Sequence, residues 1–88
     1  MVSLYEAILL LRNEKECRDF MRDLCTPGEI KDMEERWQIA QILNQGEMSY
    51  REIQKKIGAS VTTVGRVARF LKDEPYQGYR TILNRLSE

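Results

Sequence analysis

Histidine is absent from the 88 residues of this chain, and cysteine occurs only twice. Because histidine is the commonest general base and metal ligand in proteins, its absence argues against a catalytic centre and a metal site. Cys17 and Cys25 match neither a disulfide framework nor a zinc-binding spacing. With no histidine to activate them, we expect both thiols to be reduced apolar fillers. The sequence therefore predicts a protein that is not an enzyme and has no cofactor.

Long apolar runs and a secretory signal are also missing. No stretch approaches the roughly 20 apolar residues that a membrane-spanning helix needs. The N-terminus has no basic segment ahead of an apolar one, so we expect a cytoplasmic protein without membrane association. No segment alternates strictly between apolar and polar residues, as a strand would. The predicted fold is all-α, with five or six helices in one domain that covers residues 1–88.

A segment near the middle of the chain has strong signals for a helix and its end. Ser49 and Glu52 are spaced to form a capping box, in which each side chain accepts a backbone N–H of the first turn. The predicted helix runs from about Tyr50 to Ile57. Gly58 follows, and glycine is the usual left-handed residue that ends a helix.

A second helix is predicted directly after this turn. Ser60 is placed to cap it, and one apolar face is formed by Val64, Val67 and Leu71. Two helices joined by a three-residue turn that contains glycine predict a helix-turn-helix at about residues 49–72.

Charge is distributed unevenly, although the formal net charge of the whole chain is zero. Residues 48–72 contain six basic residues and one acidic residue, which gives a net charge of +5. Residues 1–47 carry a net charge of −4, and residues 73–88 carry −1. Phosphate contacts depend on local positive charge, so residues 48–72 are predicted to bind double-stranded DNA.

Four further helices are predicted around this motif. Their boundaries are marked by cap residues, glycine and proline, at Ser3, Asn13, Thr26, Gly46 and Pro75. The first helix is apolar on more than one face, which indicates either a central core helix or a subunit interface. The second has an inward stripe of Cys17, Phe20, Met21 and Leu24. The last is expected to dock through Ile82, Leu83 and Leu86.

The helix-turn-helix geometry assigns expected DNA contacts. The start of the second helix meets base edges in the major groove, and the first helix crosses the backbone. The expected base contacts are Ser60, Val61, Thr62 and Thr63. Further along the same helix, Arg66 and Arg69 are candidates for contacts with phosphate or guanine, and Lys72 is a further expected DNA-binding residue. On the first helix, the residues expected to contact the DNA backbone or to reach into the groove are Tyr50, Arg51 and Gln54.

Two points stay open in this interpretation. Gly65 lies inside the second helix and indicates a close approach, either by DNA or by a neighbouring helix. The same helices are also compatible with an alternative function, a helical protein-interaction module that binds no specific DNA.

Residues 26–72 resemble the core of the Trp repressor (TrpR) family in order and without gaps, including the GEMS sequence at residues 46–49. Residues 4–25 resemble its short branch, the YerC/YecD-like TrpR-related proteins. The resemblance implies a homodimer in which the N-terminal helices of two chains interlock. It also implies a sequence-specific transcriptional regulator, a repressor, that binds a palindromic operator.

The resemblance also implies a pocket for an effector. In the family, L-tryptophan is held by residues that correspond to Thr26, Arg36 and Arg66. The family's glycine and serine, which make room for the ligand and bind its amino group, are replaced here by Val67 and Phe70. An unpaired ammonium in a pocket is costly. We therefore expect a vestigial pocket that Phe70 fills and no binding of tryptophan, and the sequence leaves the effector unknown.

Overall fold

The computed structural model describes all 88 residues, which form six α-helices and no strand. In chain order the helices are α1 (Leu4–Leu9), α2 (Glu14–Leu24), α3 (Pro27–Gln45), α4 (Tyr50–Ile57), α5 (Val61–Lys72) and α6 (Gly78–Leu86). The predicted all-α class is confirmed. None of the six helices combines the length and the apolar content that crossing a membrane requires.

The chain divides into two compact units, Met1–Asp32 and Met33–Glu88. The first unit contains α1, α2 and the beginning of α3. The second contains the remainder of α3 together with α4, α5 and α6. The single domain over residues 1–88 stays a prediction.

The helices of the first unit begin at the predicted cap residues. The side chains of Ser3 and Asn13 accept the backbone N–H of the third residue of their helices, at 3.1 and 2.9 Å. Thr26 and Glu29 exchange two such hydrogen bonds, at 2.8 and 3.2 Å. These bonds stabilise the ionised carboxylate and lower the pKa of Glu29, the backbone N–H of Thr26 contributing most. Local sequence therefore sets the start of α1, α2 and α3.

The apolar side chains of α1 and α2 are at most partly covered within the chain, since neither helix has a fully buried residue. Large exposed apolar residues of the first unit include Leu4, Tyr5, Ile8, Leu9, Leu10 and Leu24. The interpretation of the first helix as a central core helix is therefore wrong for the single chain. Cys17 is exposed and Cys25 is half-buried, so the filler prediction is wrong for Cys17. Along the predicted inward stripe of α2, Phe20 and Met21 are half-buried, whereas Cys17 and Leu24 are exposed.

The core of the second unit joins α3, the turn and the helix-turn-helix. Its buried cluster consists of Ile39, Ala40, Ile53, Ala59, Val64 and Val67. The predicted apolar face of α5 is confirmed, because Val64, Val67 and Leu71 are all buried. Gly46, with a φ of 73°, follows α3 and lets the chain turn into α4. The motif is thereby fixed on the end of the longest helix.

The last helix begins later than its predicted start near Pro75. Gln77 has a φ of 59°, a left-handed conformation that cannot belong to an α-helix. Its amide Nε2 donates to the carbonyl of Glu74 at 2.8 Å. The chain from Pro75 to Gln77 is therefore a turn, and Gly78 is the first residue of α6 rather than an interior one.

One side of α6 packs on the rest of the second unit. The ring of Tyr79 stacks on that of Trp37 in α3, with centroids 6.4 Å apart and planes 16° apart. Leu83 is buried as predicted. The predicted docking of Ile82 and Leu86 is wrong, because both side chains are exposed. They lie on the side of α6 that faces away from the core.

A pair of valines tests the assignment of the core face. Val64 is fully buried, whereas Val61, one turn earlier on α5, is 61% exposed. Val64→Ala is expected to lower the free energy of unfolding by about 2 kcal/mol, since it removes two buried methyl groups and leaves a cavity. Val61→Ala, the matched control, should change it by less than about 0.5 kcal/mol. Urea denaturation followed by circular dichroism measures both, and equal effects would contradict the assignment.

Candidate nucleic-acid interface

The first helix of the motif begins and ends at the predicted residues. Ser49 Oγ accepts the N–H of Glu52 at 3.2 Å, and Glu52 Oε1 accepts the N–H of Ser49 at 2.9 Å. The capping box is therefore complete, and it lowers the pKa of Glu52, mainly through the backbone N–H of Ser49. Gly58 ends α4 with a φ of 81°, and its N–H donates to the carbonyl of Gln54 at 2.8 Å.

Each residue of the turn between α4 and α5 has its own structural role. Gly58 takes the left-handed conformation, which other residues adopt only with strain. Ala59 is buried in the core cluster. Ser60 caps α5, since its Oγ accepts the N–H of Thr63 at 3.1 Å. Together they fix the point at which α5 leaves the turn.

The start of α5 is exposed and carries short side chains. Ser60, Val61 and Thr62 are exposed, and Thr63 is half-buried. The hydroxyl oxygens of Ser60 and Thr63 lie 3.0 Å apart, within hydrogen-bonding distance. Val61 and the hydroxyl of Thr62 are therefore the groups least engaged within the chain. An exposed methyl-bearing side chain beside a hydroxyl suits the thymine methyl group and polar base edges.

Positive side chains continue from this end along the motif. Arg51, Arg66, Arg69 and Lys72 are all exposed, whereas Gln54 on α4 is half-buried. The Nζ atom of Lys72 lies 5.9 Å from the ring centroid of Tyr50, which links the end of α5 to the start of α4. The structure thus brings the predicted DNA-binding side chains of both helices into one small unit.

Gly65 lies on the exposed side of α5. A Cβ atom added there would meet no other atom within 4 Å, so no neighbouring helix of this chain comes close. Val61, Gly65 and Arg69 are four residues apart and share one helix face. Of the two interpretations of Gly65, close packing of another helix of the same chain is wrong. The small residue leaves that face open to an external molecule.

A pocket of about 530 Å³ adjoins α5 on another side. It is lined in part by Arg36, Arg66, Val67 and Phe70, so four of the five predicted pocket residues come together. Thr26 belongs to the first unit, where it caps α3. Phe70 forms a wall of the pocket and does not fill it. The filling of an effector site by Phe70 stays a prediction.

Two neighbours of Arg69 and Phe70 have no clear signal in the sequence. Glu74 Oε1 lies 3.3 Å from Arg69 Nε, and the ring of Tyr76 stacks on that of Phe70 with centroids 6.3 Å apart. Both neighbours follow the end of α5, where helical spacing predicts no contacts. The approach of Arg66 to Phe70 is different, because a spacing of four residues places two side chains together on a helix.

The all-helical fold and the exposed, basic helix-turn-helix assign this chain to the class of helix-turn-helix proteins. The family model described as Trp repressor protein matches residues 1–87. The chain belongs to the Trp repressor family, which confirms the resemblance of its sequence.

Individual relatives support this assignment. The YerC protein of Bacillus subtilis (strain 168) is 36% identical over 85 residues, which cover 97% of this chain and 80% of YerC. The Trp operon repressor homolog of Chlamydia trachomatis serovar L2 is 33% identical over 72 residues, 77% of each chain. The crystal structure of a TrpR-like protein from Eubacterium eligens superposes with a TM-score of 0.88 at 37% identity, and covers 96% of this chain and 84% of that one.

Proposed function

We propose that this protein is a sequence-specific DNA-binding transcriptional regulator, a repressor, that acts as a homodimer on a palindromic operator without L-tryptophan as corepressor. The observation that carries the proposal is the exposed start of α5, with Val61 and Thr62 free and arginines further along the same helix. The chain's membership of the Trp repressor family supports it, since one relative is a Trp operon repressor homolog.

In the proposed complex the two helices of the motif have different tasks. Ser60, Val61, Thr62 and Thr63 of α5 enter the major groove, where Val61 and Thr62 provide the main base contacts. Tyr50, Arg51 and Gln54 of α4 face the phosphate backbone, as do the positive residues Arg66, Arg69 and Lys72 further along α5. The absence of a side chain at Gly65 permits close approach of the DNA.

The homodimer is supported by the exposed apolar residues of the first unit. A chain of 88 residues buries only a modest core, so a second copy that covers α1 and α2 would add stability. Two copies related by a two-fold axis present two α5 helices to successive major grooves. The operator should therefore have half-sites separated by about 34 Å.

The exclusion of tryptophan is supported by the chemistry of the pocket. Arg36 and Arg66 suit a carboxylate, but no acidic side chain lines the pocket to pair with an ammonium. Phe70 offers a hydrophobic ring where the family has a serine. A zwitterionic amino acid would therefore leave its ammonium without an ionic partner.

A second candidate function rests on the same exposed apolar residues. If α1 and α2 covered a different protein instead of a second copy, the chain would be a helical interaction module without specific DNA. That function requires neither the exposed cations of α5 nor the open face at Gly65.

Selection from a random DNA pool at increasing salt tests the proposed regulator. One palindrome should be retained, with an affinity that falls steeply as salt rises, because phosphate contacts release counterions. Arg51→Ala should weaken binding to all sequences and reduce the salt slope by about 1, whereas Val61→Ala should change the preferred base. Arg18→Ala on α2 is the control for loss of a positive charge. Retention of no sequence at any salt concentration would favour the interaction module.

The homodimer is tested with a charge placed on α1. Leu9 is 84% exposed in the single chain, and Leu9→Glu should convert a dimer into a monomer because the carboxylate would be buried in the interface. Sedimentation velocity measures the mass, and Ser87→Glu at the exposed C-terminus is the control. A wild-type protein that sediments as a monomer at micromolar concentration would refute the homodimer.

Calorimetry with L-tryptophan tests the effector proposal. No heat of binding is expected at millimolar ligand, and tryptophan should leave the affinity for the selected DNA unchanged. Phe70→Ser restores the polar side chain of the family at this position and provides the comparison. The proposal would be wrong if the wild-type protein bound tryptophan with micromolar affinity and if tryptophan increased its affinity for DNA.

A further inference from the structure

Two guanidinium groups of α5 converge on one aromatic ring. The Cζ atom of Arg66 lies 4.4 Å from the ring centroid of Phe70, and that of Arg69 lies 5.0 Å from it. A guanidinium within about 6 Å of a ring centroid is attracted by the π electrons. Tyr76 stacks against the same ring, with 13° between the two planes. The ring of Phe70 is thus held in place and restrains two long side chains.

This arrangement leaves positive charge without a partner. Arg69 is paired with the carboxylate of Glu74, at 3.3 Å, but both side chains remain partly exposed. Arg66 has no ion pair within the chain. Because both guanidinium groups lie beside one ring, their positive charges repel each other, and an anion bound by both would relieve the repulsion. Two arginines suit a phosphate, because each offers planar N–H groups to its oxygens.

The position of the pair suits the DNA backbone better than the bases. Arg66 and Arg69 are three residues apart and therefore neighbours on the helix surface. They lie one to two turns beyond Val61 and Thr62, which occupy the exposed start of α5. In a helix that enters the groove with its N-terminal end, side chains further along are nearer to the backbone.

We propose that Phe70 is a positioning residue, whose ring, backed by Tyr76, holds Arg66 and Arg69 as a preformed pair for one DNA phosphate. In the free protein Glu74 forms an ion pair with Arg69, and the phosphate displaces Glu74 when DNA binds. The proposal rests on the proposed function, since it deepens the account of how α5 binds DNA. Holding both arginines before binding lowers the entropy that ordering them would otherwise cost.

The rival explanation for Phe70 is simple packing, because its side chain is half-buried and lines the pocket. Two substitutions separate the two roles. Phe70→Leu keeps an apolar side chain but removes the ring, and Phe70→Tyr keeps the ring. A packing role depends on apolar volume, whereas the positioning role depends on the π electrons.

The experiment measures binding of the selected duplex by fluorescence anisotropy over a series of KCl concentrations. Phe70→Leu should weaken binding about tenfold and lower the salt slope by about 1, while Phe70→Tyr retains the wild-type affinity and slope. Thermal melting checks that each variant is folded. A folded Phe70→Leu protein with the wild-type slope, or a Phe70→Tyr protein as weak as Phe70→Leu, would overturn the proposal.

A second pair of variants tests the arginine from its other side. Glu74→Gln should tighten binding to DNA more than Asp73→Asn, because both remove one negative charge near the end of α5 but only Glu74 pairs with Arg69. Equal gains in DNA affinity for the two variants would contradict the role of Glu74. This comparison remains informative if Phe70→Leu does not fold. A wild-type protein that binds no DNA would overturn the proposed function itself, whereas wild-type binding with unchanged variants would overturn only the role of Phe70.

Discussion

The left-handed turn at Gly58 is the constraint on which the geometry of this protein depends. Its φ of 81° ends α4, places Ala59 in the core and leaves Ser60 to cap α5. As a result, α5 can bury one face against the unit and still present its first turn to solvent. A side chain at Gly58 would strain this conformation. The proposed contacts of Val61 and Thr62 with bases follow from this turn.

The two compact units of the chain differ in how their apolar side chains are covered. In Met33–Glu88, the apolar residues of α3, α4 and α5 meet in a buried cluster. In Met1–Asp32, α1 and α2 have no buried residue, although they carry large apolar side chains. The second unit therefore has the features of a DNA-binding unit, while the first has those of a subunit interface. In the proposed homodimer, both are needed to read a palindrome.

The sequence was most informative where neighbouring residues decide the structure. The bounds of α4, the turn at Gly58 and the cap at Ser60 agree with prediction, because each is set by residues within four positions. The start of α6 was missed, since a positive φ at Gln77 has no strong sequence signal. The pairing of Arg69 with Glu74 depends on the turn after α5. An apolar pattern alone does not show whether α1 is covered by its own chain or by a second chain.

In the proposed complex, the start of α5 enters the groove of DNA. Titrating the ¹⁵N-labelled protein with the selected duplex and following its amide resonances by NMR tests this most directly. The largest shifts are expected at the amides of residues 60–66, with smaller ones in α4 and little change in α2. Shifts confined to α1 and α2, with none in α5, would contradict it.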